Sequence, residues 1–207
     1  AGPANDAGLP VGFDGIFDGC GFSIKNWATS QPLFHTVAAT GKVMNVNIDA
    51  SCALNMPQEG LAGLTGGAAI AFLVAHNLGE VSGCTNNADV LCNAPENPSV
   101  TRAALVGYSA IGANLRDCSN YGNVTIEIGT HGAGTGYIGT VSGRFASSAE
   151  TLGCGVYNCK NYGDLTINIA TSNTSNFYIG AVTGSSNSYT VTEGCENYGN
   201  LTFNSSN

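Results

Sequence analysis

Charge is scarce in this 207-residue chain: Asp, Glu, Lys and Arg together make up 10%, against roughly 25% in ordinary soluble domains. Basic residues are scarcest, six Lys and Arg in all, and the formal net charge is −8. That speaks against a nucleic-acid partner, because phosphate binding needs clustered Lys and Arg. An anionic membrane surface is disfavoured for the same reason. Long apolar runs are missing too. The longest, Ala68 to Ala75, falls well below the roughly 18 residues of a membrane-spanning helix. The three histidines, His35, His76 and His131, are scattered and no Cys-x-x-Cys pair occurs, so no metal site is expected. Neither GxSxG nor GxxxxGK[ST] is present, and no cofactor is expected.

What the chain does have is glycine, 29 residues of it, and a phrase that returns. Cys118-Ser-Asn-Tyr-Gly-Asn-Val-Thr-Ile is followed by Cys159-Lys-Asn-Tyr-Gly-Asp-Leu-Thr-Ile and Cys195-Glu-Asn-Tyr-Gly-Asn-Leu-Thr-Phe. A worn copy, Cys84-Thr-Asn-Asn-Ala-Asp-Val, precedes them. A phrase repeated at a loose period marks a stacked solenoid, whose units bury their apolar faces against one another. Each unit shows three short strands. One follows the phrase (Val124–Ile128, Leu165–Ile169, Leu201 onward). One is glycine-spaced (Tyr137–Gly143, Tyr178–Gly184, with counterparts at Leu61–Gly67 and Leu105–Tyr108). The third is the Cys-x-Asn strand itself. With no long helical pattern between them, the expected fold is all-β: a parallel β-helix of about five coils. Residues 1–12 read as a flexible lead-in, 13–78 as irregular entry coils and 79–207 as regular repeats of one domain. A short helix around 68–76 stays open.

Alternation sends Val124, Ile126 and Ile128 to one face and Thr125 and Glu127 to the other. Stacked coils then align Asn120, Asn161 and Asn197 in an amide ladder, beside Cys118, Cys159 and Cys195. Gly122, Gly163 and Gly199 are expected at a turn with positive φ, followed by the turn-capping types Asp89, Asn123, Asp164 and Asn200. Five cysteines recur about once per unit (Cys52, Cys84, Cys118, Cys159, Cys195) and read as buried small hydrophobes. Cys84–Cys92 and Cys154–Cys159 are the pairs best placed for disulfides. Tyr121, Tyr162 and Tyr198 fall outward. They either form an aromatic face for sugar rings or shield the ladder from water. No convergent carboxylate pair of the kind glycosidases need is visible; Lys160 sits over Glu196 as a stacked ion pair.

The phrase Cys-x-Asn-Tyr-Gly-x-Val/Leu-Thr, with Tyr-Ile-Gly-x-Val-x-Gly between copies, resembles the GLUG-like repeats of bacterial cell-surface proteins. The opening Phe13-Asp-Gly-Ile-Phe-Asp-Gly-Cys-Gly-Phe-Ser-Ile-Lys-Asn-Trp27 is similar to the entry coils of such proteins. The resemblance implies a right-handed β-helix, exported and often lipid-anchored, of the adhesin or fimbria-associated kind. Function is accordingly expected to be non-enzymatic binding of a glycan or a surface protein, with Tyr121, Tyr162 and Tyr198 as the binding residues. The alternative is a carbohydrate-active enzyme, a polysaccharide lyase or glycosidase, with its site in the irregular 50–100 region. Ala1 to Asp6 reads as a processed start, and residues 200–207 stop where earlier copies continue. An open solenoid end exposes strand edges and invites self-association there.

Overall fold

The computed structural model describes residues 12–57, 69–93, 100–110, 112–129, 134–146, 154–170, 173, 175–187 and 189–206. Among them there is no helix. Every strand pairs in parallel with its equivalent one turn earlier or later. Three sheets hold six strands each and two hold four. The arrangement is that of a parallel β-solenoid. The expected lead-in at 1–12 lies outside the described residues except for Gly12, as do all of 58–68 and 94–99.

A full turn holds five strands, where the repeat pattern showed three. From Asn114 the chain runs through Asn114–Arg116, Ser119–Asn120, Val124–Ile128, Thr135–Gly139 and Ser142–Phe145. The first two strands are split by a residue in the left-handed region. Asn45 (φ 54°), Gly83 (61°), Asp117 (53°), Asn158 (53°) and Gly194 (64°) occupy this one corner, coil after coil. These are the residue types that tolerate positive φ. This explains the imperfect alternation of Lys42 to Ile48. It is two strands, Lys42–Met44 and Asn47–Ile48, and the break at Asn45 lets Val43, Val46 and Ile48 all face inward.

Between the last two strands of a turn lies a second bend. The register pairs Thr101 with Ala69 and Tyr137, and Tyr137 with Tyr178. The counterpart of Tyr137–Gly143 is therefore Thr101–Gly107, and before it Ala69–Ala75. The glycine match at Leu105–Tyr108 was out of register, and Leu61–Gly67 lies outside the described residues. Segment 69–77 forms the strands Ala69–Ile70 and Val74–Asn77, not a helix.

The core is one continuous stack running from Val37 to Val182. Val90, Val124 and Leu165 fill one inward column, and Cys92, Ile126 and Ile167 the next. Burial of these aliphatics supplies the main driving force, about 1.5–3 kcal/mol per fully buried side chain. All eight cysteines are free thiols. Cys84 and Cys92 point from different sheets, and Cys159 sits in the inward column that begins at Cys84, so neither suggested disulfide forms. Cys52 is not in that column. Val46 takes the place, since Asn47 pairs with Thr85, and Cys52 lies at the next corner.

Candidate functional site

The phrase folds as a corner, and its residues divide cleanly by direction. Cys118 and Asn120 face inward and are fully buried, while Tyr121 turns out. The amide of each Asn donates twice. Asn86 Nδ2 reaches Ala88 O at 2.7 Å and Asn120 Oδ1 at 2.8 Å. Asn120 Nδ2 reaches Gly122 O at 2.7 Å and Asn161 Oδ1 at 2.9 Å. Asn161 Nδ2 reaches Gly163 O and Asn197 Oδ1, both at 2.7 Å. The ladder thus begins one coil earlier than the intact phrase, at Asn86. Below it the column is apolar: Ile48, paired with Asn86, and Ile24.

The thiols stack beside the ladder. Each donates to the carbonyl two residues before it, Cys118 to Arg116 at 3.2 Å and Cys159 to Tyr157 at 3.4 Å. Burial holds the Cys118 thiol well above its ordinary range, which leaves it a poor nucleophile.

Gly122, Gly163 and Gly199 do not adopt positive φ. They are small for another reason. A Cβ on Gly163 would run into the Gly122 carbonyl oxygen, and lie 2.6 Å from its carbon; Gly199 stands in the same relation to Gly163. At this corner the backbone of one coil leaves no room for a side chain on the next. One residue on, acceptor side chains tie the coils together. Asp89 Oδ1 accepts from the Asn123 N–H at 2.8 Å, Asn123 Oδ1 from Asp164 at 3.1 Å and Asp164 Oδ1 from Asn200 at 2.8 Å.

Tight coil spacing brings the outward tyrosines together. Tyr121 and Tyr162 stack with centroids 4.5 Å apart and planes 3° from parallel; Tyr162 and Tyr198 follow at 4.9 Å and 7°. The rings remain 49%, 38% and 61% exposed. Face-to-face contact with an inserted sugar would need roughly 7 Å between ring planes, two van der Waals spacings, so nothing enters the row. It offers instead a strip of ring edges and hydroxyls, with open faces only at its two ends. The row stops at Tyr121 because Asn87 stands in the worn copy, donating to Asn47 Oδ1 at 2.8 Å.

Lys160 and Glu196 border the row at 3.0 Å, and Tyr198 Oη donates to Glu196 Oε2 at 2.6 Å. The Tyr198 hydroxyl, then Lys160, hold the Glu196 carboxyl below its ordinary 4.5, and Glu196 holds Lys160 above its ordinary 10.5. A lowered acid stabilises fully above about 4.5, losing that effect as pH falls through the folded value; a raised base stabilises fully below about 10.5, losing it as pH rises through the folded value. Melting temperatures of the wild type and Glu196→Gln should therefore differ modestly between about pH 5 and 10 and converge at both extremes. Added salt should shrink the gap, since both groups are exposed. A gap that persists unchanged at about pH 3 contradicts the assignment.

A second aromatic cluster went unnoticed in the sequence. Tyr137 and Tyr178 stack at 5.3 Å, and Arg144 lies over Tyr137 with its guanidinium carbon 4.3 Å from the centroid. The signal was present, for both tyrosines head a Tyr-Ile-Gly copy and Arg144 follows the glycine that ends the first of them.

No family model matches the chain, and no curated protein matches it. Among solved structures it is similar to a crystal structure from Bacteroides ovatus named "putative immunoglobulin A1 protease", with a TM-score of 0.54 and 16% sequence identity. The likeness covers 87% of this chain and 59% of that one, so this chain spans about three fifths of its neighbour's length. At such identity the two share a fold, and a fold alone carries no activity.

Proposed function

We propose that the chain is a non-enzymatic binding module of a cell-surface adhesin, a right-handed β-helix of about five coils that presents its tyrosine-bearing flank to a glycan. The observation that carries this is the exposed, parallel row Tyr121–Tyr162–Tyr198. Three large aromatic side chains left partly open, held rigid by stacking and by a hydrogen-bonded corner beneath, offer contact area without an ordering cost. Few charges and many short polar side chains suit recognition by hydrogen bonds and ring contact rather than by long-range steering.

The test is a glycan-array screen of the wild type against the triple variant Tyr121→Ala, Tyr162→Ala, Tyr198→Ala. Truncating an aromatic anchor costs roughly 1–2 kcal/mol, about 5- to 30-fold in affinity, so the triple variant should lose its signals altogether. Since the rings are exposed, its fold should persist and its circular dichroism should match the wild type. Retained glycan signals in a folded triple variant would remove the flank from consideration.

A further inference from the structure

Among the six basic side chains of the chain, one setting stands out. Lys25, Lys42 and Lys160 each reach a carboxylate, Asp49, Glu80 and Glu196 respectively. Arg102 is fully buried. Arg116 lies over Tyr157, its guanidinium carbon 4.0 Å from the centroid, and donates to Asn114 Oδ1. Arg144 is half-buried and rests on rings alone: 4.3 Å from the Tyr137 centroid and 5.7 Å from that of Tyr108. Among the described residues its guanidinium makes no hydrogen bond and no ion pair.

Cation–π contact fixes a guanidinium through its flat face and leaves the N–H edge unused. An arginine so held presents the planar donor fork that matches a carboxylate in bidentate fashion. The setting is built by the fold. Tyr137 and Arg144 come from consecutive strands across the second bend. Tyr108 is the register partner of Arg144 one coil earlier, and His76 packs edge-on against Tyr108 at 5.9 Å. Burial keeps His76 below its ordinary 6.5, so the formal charge of the cluster is that of Arg144. Beside it, Tyr178 is 54% exposed and stacked on Tyr137 at 12° from parallel, with no further ring stacked on it among the described residues.

We propose that Arg144, with Tyr137, Tyr108 and Tyr178, forms a subsite for a carboxylate-bearing sugar, the guanidinium taking the carboxylate while the sugar ring lies against Tyr178. This site is on the bend opposite in chain order to the Tyr121 corner, and does not depend on that row being a glycan site. An acidic sugar is favoured over an acidic peptide because the cation comes with an exposed ring platform and with no second cation; Tyr178 lies on the terminal strand of its sheet, and tri-glutamate tests the competing case of a peptide laid along that edge.

The probe is trigalacturonic acid, titrated calorimetrically against the full chain beside its trimethyl ester, tri-glutamate and acetate. The acid should bind, and the ester should bind at least about tenfold more weakly, the loss of one charge-assisted bidentate pair. Arg144→Gln should weaken the acid by a similar factor. Arg144→Lys should not restore it, since charge without the fork does not suffice. Tyr178→Ala should weaken acid and ester alike, and the triple variant at Tyr121, Tyr162 and Tyr198 should bind the acid as the wild type does. Absence of binding, equal binding of acid and ester, an unaffected Arg144→Gln, or tighter binding of tri-glutamate would each overturn the subsite. Loss of acid binding in the triple variant with Arg144→Gln unaffected would move the sugar to the other flank.

Discussion

Gly163→Ala should be the most damaging single change in the chain, an outsized result for the addition of one methyl group. The new Cβ would meet the Gly122 carbonyl carbon at 2.6 Å and the Tyr121 oxygen at 3.0 Å. All of these are backbone atoms of the preceding coil, so no side chain can swing away. Relief requires parting two coils at this corner. There Tyr162 N–H donates to Asn120 O at 2.7 Å, and the Asn and Tyr rows both depend on that spacing. Mutations of this severity cost more than about 4 kcal/mol, which at 2–4 °C per kcal/mol for a chain of this size is a fall of at least roughly 8–16 °C in melting temperature. Gly21→Ala is the control. Its Cβ would meet nothing within 4 Å, but the backbone has φ +75°, so the cost is the left-handed conformation alone, about 1–2 kcal/mol. A Gly163→Ala protein that melts within a few degrees of Gly21→Ala would show that the coils are not packed as described.

Asn120→Leu should be the second most damaging change, and its damage should depend on position in the row. The substitution keeps the volume but takes the donor from two buried acceptors, the Asn161 Oδ1 and the Gly122 carbonyl, and removes one of the two bonds of the Asn86 amide. At about 1–3 kcal/mol per orphaned group, the loss is on the order of 3–6 kcal/mol. Asn86→Ile should cost less, because Ile48 rather than another amide lies beneath it and only one rung is broken. Because stacked units need not unfold together, hydrogen exchange of the Tyr121 and Tyr162 amides is a better readout than a single melt. Equal protection in both variants would mean that the ladder contributes little.

The repeating phrase was legible because it is a local signal with a vertical consequence. Matching letters at Asn120, Asn161 and Asn197 become matching positions once coils stack, and Lys160 over Glu196 follows from the same alignment. Three readings failed where letters and positions part. Cys52 looked like a member of the cysteine column, but Val46, alike in size and apolarity, holds that place, and nothing in composition separates them. Gly122 looked like a positive-φ glycine, while its smallness answers to a carbonyl one coil away, a tertiary distance no single unit encodes. The left-handed residues sit instead just before each member of the column that holds Val46, Cys84, Cys118, Cys159 and Cys195, as the Asn, Gly and Asp at 45, 83, 117, 158 and 194 could have suggested. The second bend was misaligned because small residues recur there too often: Ala71 and Ala75 serve in one coil where Gly139 and Gly143 serve in another. The Arg144 cluster was missed for a related reason, since two of its rings, Tyr108 and Tyr178, arrive from the coils before and after the one that holds Tyr137 and Arg144.

The amides at the corner also have a direction. A backbone carbonyl can only accept, so Gly122 O and Gly163 O oblige the neighbouring Nδ2 to face them, and no rung is free to turn over alone. All the side-chain dipoles therefore point the same way along the solenoid, each passing a hydrogen on toward the C-terminal coil. Like molecules in a proton-ordered file of water, the row has a head and a tail. A coil added beyond Asn197 in the reverse sense would confront N–H with N–H, so this file reads polarity and admits growth in one orientation only.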